Sequence, residues 1–189
     1  TSNYPMVGHK GSIKMYASFK GVSAHGSMPQ LGVNAIYKAA KAIQKLEEFQ
    51  FGVKEHPVMG LPTMNVGTVE GGSGVNLVPD LAKIGVDIRT VPGTDHAVLL
   101  SRLKSLLSDA ELEVFADSQA VWTEPDDEWV QRVFGICKPI LKEMPQARTA
   151  PYMTDAANLR KVYAGAPTLV LGPGEAAMAH QTDEYCHME

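Results

Sequence analysis

The sequence predicts an α+β fold, and three observations carry that prediction. Apolar residues recur with the period of a strand in several segments, two other segments gather theirs on a helical stripe, and the six occur in the order βαββαβ. Ile13, Met15, Ala17 and Phe19 alternate with Ser12, Lys14, Tyr16, Ser18 and Lys20, as in a strand with one buried face. Val33, Ile36, Tyr37, Ala40, Ile43 and Leu46 then share one stripe while Lys38, Lys41 and Lys45 face away, which predicts an amphipathic helix over 33–48. Thr63 to Val69 and the series Ile84, Val86, Ile88 predict two strands paired as a hairpin, separated by Gly71-Gly72-Ser73-Gly74 and Pro79. Thr94-Asp95 offers an N-cap to a second helix carrying Val98, Leu99, Leu103, Leu106 and Leu107, and Glu111 to Ala116 closes the series as a strand. Over residues 11–117 this order is the ferredoxin-like arrangement, a four-stranded antiparallel sheet with both helices on one face. One face or edge stays free, and a free edge invites pairing with a second copy of the chain.

Beyond it the pattern changes. Asp117 to Asp127 is polar, contains Pro125 and reads as a linker. Trp129, Val133, Phe134, Ile136, Cys137, Ile140 and Leu141 mark a helix whose last turn meets Pro139. Strand 147–150, helix 155–162 and the all-apolar strand 168–171 read as a parallel βαβ unit. Two strands and two helices bury too little to stand alone, so residues 118–189 are expected to be part of a larger, incomplete α/β domain, with residues 1–10 a connector from it.

Bulk composition narrows the function classes. With 44% hydrophobic and 20% charged residues among 189, the chain is an ordinary globular protein. A net charge of -4 supplies no basic field for nucleic acid or an anionic membrane surface. The two cysteines, Cys137 and Cys186, support neither a disulfide framework nor a thiolate metal cluster and fit a reducing cytoplasm. No apolar run approaches the roughly 18 residues of a membrane span. The chain opens on Thr1 without an initiator Met and stops within polar residues, so its ends are either natural or cuts.

Three polar clusters can carry chemistry. His180 follows the turn Gly172-Pro173-Gly174 and a predicted strand end, where ligands of open α/β sheets collect; it is either a metal-binding imidazole or a solvated loop histidine. His25 lies among small residues in Gly21-Val22-Ser23-Ala24-His25-Gly26-Ser27. Its unobstructed ring can donate to an oxyanion, while the same residues also suit a purely conformational turn. Asn76 and Arg89 flank the predicted hairpin; Arg89 presents a fork for a carboxylate, or is an exposed strand cation paired with Asp87 or a neighbour. The glycines at 71, 72 and 74 are no phosphate loop, since no Lys-Ser/Thr pair follows, and no Gly-x-Ser-x-Gly elbow occurs.

Six strings occur in one order: Gly21 to Ser27, Gly67-Thr68-Val69-Glu70-Gly71-Gly72, Asn76-Leu77-Val78-Pro79-Asp80, Asp87-Ile88-Arg89, Leu171 to Gly174 and Ala179-His180-Gln181-Thr182-Asp183-Glu184. Together they resemble the zinc metallopeptidase and deacylase family of acetylornithine deacetylase, succinyl-diaminopimelate desuccinylase, aminoacylase and carboxypeptidase G. The resemblance implies a metal-dependent amide hydrolase acting on small N-acyl amino acids, with two divalent ions, zinc or cobalt, in a catalytic domain and a ferredoxin-like insert that makes a homodimer through residues 11–117. It implies that His180 is the last metal ligand and that His25 reaches the partner subunit's active site to steady the oxyanion. Asn76 and Arg89 would bind the substrate carboxylate, with Gly172 and Gly174 lining the pocket. The family's other metal ligands and its general base have no counterpart in this chain, so the piece alone is expected to be inactive, with metal possible only in the full-length enzyme. The competing readings are a non-catalytic homodimerisation module and an RNA-recognition domain; for the latter, no Lys/Arg-Gly-Phe strand motif is present.

Overall fold

The computed structural model describes residues 1–178 and 181–185. In chain order its elements are β1 (Gly8–His9), β2 (Gly11–Lys20), β3 (Ala24–His25), α1 (Ala35–Glu47), β4 (Thr63–Gly71), β5 (Leu77–Val78), β6 (Leu81–Thr90), α2 (His96–Leu106), β7 (Ala110–Ser118), β8 (Val121–Trp122), α3 (Glu128–Leu141), β9 (Thr149–Ala150) and α4 (Ala156–Val162). They form two compact units, one of residues 12–54 and 61–117, the other of residues 1–11, 55–60 and 118–189.

In the first of these, the four long strands lie in the order β4-β6-β2-β7. Counted by occurrence that is 2-3-1-4, the ferredoxin-like order the sequence predicts. β4 and β6 run antiparallel from Thr63 opposite Arg89 to Gly71 opposite Ala82, with an irregularity between Val66 and Thr68. Strict alternation decides which face is buried: Ile13, Met15, Ala17 and Phe19 of β2 and Ala82, Ile84, Val86 and Ile88 of β6 all point to one core. Ala35, Ala39, Ala42 and Leu46 of α1 and Leu99 and Leu103 of α2, with Leu107 just beyond it, close that core from the other side. Helix α1 starts two residues later than its apolar stripe suggests, because Val33 is bridged to Val22 and Asn34 serves as the cap, its side chain accepting from the Tyr37 N–H at 3.1 Å. Asp95 caps α2 in the same way through the Val98 N–H at 3.0 Å.

A polar network, buried at Thr90 and His96 and exposed at Asp117, ties three element ends together. The Thr90 hydroxyl lies 2.8 Å from His96 Nε2, and His96 Nδ1 lies 2.5 Å from an Asp117 carboxylate oxygen. The sequence of groups is that of a nucleophile relay, but Thr90 is completely buried, so no substrate reaches its hydroxyl. It is a structural staple joining β6, α2 and β7.

The second unit holds a three-stranded sheet in the order β8-β1-β9. β1 is its centre, antiparallel to β8 and parallel to β9. Three expectations change here. Residues 1–10 contribute the central strand and are more than a connector. The polar segment 117–127 contains β8, and its last residue caps α3, Asp127 accepting from the Trp129 N–H at 2.9 Å. Residues 168–171 form only an antiparallel bridge, Val170 with Met6, through reciprocal bonds of 2.9 Å and 2.9 Å. Since β9 is parallel to β1, segment 168–171 runs opposite to it and the predicted parallel pair is not made. The chain start supplies the partner that sequence reasoning sought within the C-terminal segment itself. Val7, Val130 and Phe134 form one small core of this unit, and Val121, Ala156 and Ala157 another. No described helix is long and apolar enough to cross a membrane.

His9 is fully buried in β1. Its Nδ1–H donates to the Lys10 carbonyl at 2.8 Å, and Nε2 has no hydrogen-bond partner among the described residues. His56 stands edge-on to Trp122 at 4.5 Å, with Nδ1 accepting from the Val58 and Met59 N–H groups at 3.2 Å and 3.2 Å. Burial holds both rings below the ordinary histidine value of 6.5; the Lys10 carbonyl at His9 and the Glu124 charge near His56 oppose this less strongly.

Two outcomes follow. Leu103→Ala removes a fully buried side chain between α2 and the sheet and should cost about 2–5 kcal/mol in chemical denaturation. The unfolded chain binds protons on His9 and His56 at a higher pH than the folded chain does, so stability should be intact above about pH 6.5 and fall as the pH drops below it. Urea midpoints read by the fluorescence of Trp122 and Trp129, both in this second unit, should decline between about pH 7.5 and about pH 5.5.

Candidate functional site

His25 and Asn76 are brought together by a two-stranded ladder. β3 and β5 pair antiparallel, Ala24 with Val78 and His25 with Leu77, and the Gly26 N–H extends the ladder by donating to the Asn76 carbonyl at 2.7 Å. A Cβ on Gly26 would lie 2.9 Å from the Asn76 carbonyl carbon and oxygen, so only glycine permits this approach. Both functional side chains are exposed. The chain turns at once after His25, its carbonyl accepting from the Met28 N–H at 2.9 Å. The ring folds back over that turn, with Nδ1 2.8 Å from the Ser27 hydroxyl and 3.2 Å from the Ser27 backbone nitrogen. No described residue hydrogen-bonds to Nε2.

Arg89 stands near the far end of β6. Its Nε and one terminal nitrogen both donate to Asp87 Oδ2, at 2.9 Å and 2.9 Å, and the Ser12 hydroxyl lies 3.5 Å from Asp87 Oδ1. The guanidinium is therefore oriented by its neighbour two residues back on the same strand face, and its other terminal nitrogen has no partner among the described residues. Both side chains of the pair are about two-thirds covered. β5 ends at Val78 and β6 starts at Leu81. At roughly 3.4 Å per residue, Leu81 and Arg89 are about 27 Å apart. The structure thus joins His25 to Asn76 and separates both from Arg89.

Gly172 and Gly174 face the chain start. The Asn3 N–H donates to the Gly172 carbonyl at 2.9 Å and the Ser2 N–H to the Gly174 carbonyl at 2.9 Å, while the Thr1 hydroxyl both donates to Gly172 O and accepts from Gly172 N, each at 3.0 Å. A Cβ at either glycine would meet nothing within 4 Å among the described residues, so their packing does not call for glycine at these positions. His180 lies outside the described residues. Among the described residues no group of three His, Cys, Asp or Glu side chains stands close enough to hold a metal ion. A zinc ion takes about four ligands, so the donors described here do not fit one by themselves.

Sequence reasoning offered Asp87 as a partner of Arg89, and the structure makes that pair, but it passed over Ser27, Ser12 and His9. Ser27 was accessible as the i+2 neighbour of His25; Ser12 and buried His9 carried no such signal.

Residues 7–114 match the family model of the M20 peptidase dimerisation domain. The chain belongs to the M20 peptidases. It is 32% identical over 205 residues to an acetylornithine deacetylase of Photorhabdus laumondii subsp. laumondii, covering 100% of this chain and 50% of that protein. An acetylornithine deacetylase of Vibrio atlanticus is 30% identical over 199 residues, covering 98% of this chain and 50% of its own length. The chain thus spans about half the length of the curated relatives it matches. An M20 family metallo-carboxypeptidase from Sulfolobus solfataricus shares the fold with a TM-score of 0.76 at 17% identity, over 96% of this chain and 55% of that one. A tripeptidase from Staphylococcus aureus does so with 0.73 at 23% identity, over 97% and 48%. The M20 relatives are hydrolases, and the one from Sulfolobus is a metallo-carboxypeptidase.

For this M20 chain, Gly26→Ala should drive the β3–β5 ladder apart. The expected cost is about 1–3 kcal/mol, the usual range for overpacking, with faster hydrogen exchange at the amide of residue 26.

Proposed function

We propose that the complete protein is a zinc- or cobalt-dependent amide hydrolase that removes the acyl group from small N-acyl amino acids, in the manner of an acetylornithine deacetylase or succinyl-diaminopimelate desuccinylase, as a cytoplasmic homodimer. The observation that carries this reading is the length of β6: Leu81, three residues past the end of β5, and Arg89 lie about 27 Å apart along the strand. A small substrate cannot touch both ends of one sheet, so groups that bind one substrate must come from two subunits. In this reading residues 11–117 are the dimerisation domain and residues 118–189 the C-terminal part of the catalytic domain.

The dimer contact is assigned to the β4 edge. β4 and β7 are the outer strands of the sheet. β7 carries Glu111 and Glu113 on exposed positions, and a two-fold pairing centred between them would set Glu111 against Glu113 of the copy. β4 is exposed from Gly67 to Gly71 and presents Val69, Thr68 and a single carboxylate there, Glu70. Extending the sheet across that edge satisfies backbone groups that otherwise face water.

Each residue has one task. Arg89, aimed by Asp87, clamps the substrate carboxylate with its free terminal nitrogen, and Asn76 of the opposite subunit adds a polar contact. His25 donates from Nε2 to the oxygen on which charge develops as the amide is attacked. Gly172 and Gly174 leave room for close approach of the substrate to the main chain. His180 supplies one metal ligand, and the remaining ligands and the general base belong to parts of the protein outside this chain. By itself the 189-residue chain is then a self-associating module without hydrolase activity.

In the complete enzyme, His25→Ala should lower kcat by ~10²- to 10³-fold, the usual loss for one oxyanion donor; an unchanged kcat would remove His25 from the reaction. Mixing His25→Ala and Arg89→Ala homodimers should restore about a quarter of wild-type activity. Random exchange makes half of the dimers mixed, and each mixed dimer holds one of two sites with both residues intact. No recovery on mixing would place both residues in one subunit's site.

A further inference from the structure

We propose that Ser27 is a positioning residue that holds His25 in the Nε2–H tautomer, so that the ring meets a developing oxyanion with a proton. This rests on the reading of His25 as an oxyanion donor and adds what that role requires. A neutral imidazole carries one proton, and only the nitrogen that has it can donate. A bare Nε2 would turn a lone pair toward a negative oxygen and raise the barrier.

The geometry assigns the proton. The Ser27 backbone N–H can only donate, and it points at Nδ1 from 3.2 Å. Nδ1 must therefore offer its lone pair. The Ser27 hydroxyl, 2.8 Å from the same nitrogen, donates to it as well, since an unprotonated Nδ1 has nothing to give. With Nδ1 an acceptor twice over, the neutral ring keeps its proton on Nε2, on the opposite edge and turned away from the turn. The scaffold makes this arrangement stiff: the ladder from Ala24 to Gly26 fixes the backbone on one side, and the bond from Met28 N–H to His25 O closes the turn on the other. Two residues separate the ring from its partner, so the device needs no distant contact. It is a local one, analogous to the side-chain-to-backbone turn made by Asp or Asn.

Metal-bound histidines have their tautomer set by what the other ring nitrogen bonds, and catalytic histidines are oriented the same way. His25 differs in the sign of the partner. Here a donor pair, not a carboxylate, occupies Nδ1, which selects a ring that gives a proton outward in place of one that takes it.

The test has two arms. In the 189-residue chain at about pH 8.5, where an ordinary histidine is neutral, ¹⁵N NMR of the His25 ring should show an unprotonated, pyridine-like Nδ1 and a pyrrole-like Nε2, with the signals assigned by their loss in His25→Gln. Ser27→Ala keeps the backbone donor and loses the hydroxyl, so the two ring shifts should move toward each other. Ser27→Thr, which restores a hydroxyl, should return them. A protonated Nδ1 in the native chain, or shifts unmoved by Ser27→Ala, would overturn the assignment. In the complete enzyme Ser27→Ala should lower kcat about 2- to 12-fold, the weight of one neutral hydrogen bond, with KM little changed and Ser27→Thr recovering the loss. If the ring shifts respond as described while His25→Ala leaves kcat intact, the tautomer control stands and the oxyanion reading is the part that fails.

Discussion

One apolar layer holds the ferredoxin-like unit: the inward residues of β2 and β6 press on α1 and α2, and eight of those strand side chains lie within a single core. Because strand side chains alternate with a period of two, burying one face dictates that Lys14, Tyr16, Lys83, Asp87 and Arg89 fall on the other. That second face is polar but organised. Tyr16 stacks on Phe115 at 4.7 Å and Lys83 sits 3.6 Å over the Tyr16 ring. Arg89 is available to a ligand because Ile88 is not, and a one-residue slip in the register of β6 would bury the guanidinium and expose the core.

The same layer turns the sheet into a rigid spacer. β6 is a ten-residue strand anchored at its start by the β3–β5 ladder and at its end by the Thr90–His96–Asp117 staple. Groups at its two ends cannot converge on one small molecule. Chemistry that needs both must be shared between copies of the chain, and the open β4 edge offers the means. In the function proposed above, dimerisation is a condition of assembling the site.

Unit by unit, polar groups are positioned by their immediate neighbours. His25 is held by Ser27, Arg89 by Asp87, and His56 by the amides of its own turn. Each of these contacts spans two or three residues in sequence, which costs little ordering entropy beyond that of the turn or strand itself. The Thr90–His96–Asp117 staple, whose longer link spans 21 residues, is one exception and His9 is another. It is buried in a central strand with one nitrogen unpartnered among the described residues, and it makes that unit's stability sensitive to acid.

Much of this was written in the sequence, for a physical reason. Periodicity reports which residues share a face, so the strands, both helices and the ferredoxin-like order of residues 11–117 were legible, whereas His25, Asn76 and Arg89 were singled out as candidates by residue type and by the family resemblance. Pairings between distant segments leave no such trace. That Gly8–His9 is a central strand, that Val121–Trp122 lies within an apparent linker, and that residues 168–171 meet Met6 antiparallel depended on which partners reached those backbone groups in space. The sequence by itself determined the layers and the chemical types of the candidate residues, because side-chain pattern acts locally. Only the tertiary structure decided that His25 stands beside Asn76 and far from Arg89, because that is a matter of strand length and ladder registry, which no local pattern encodes.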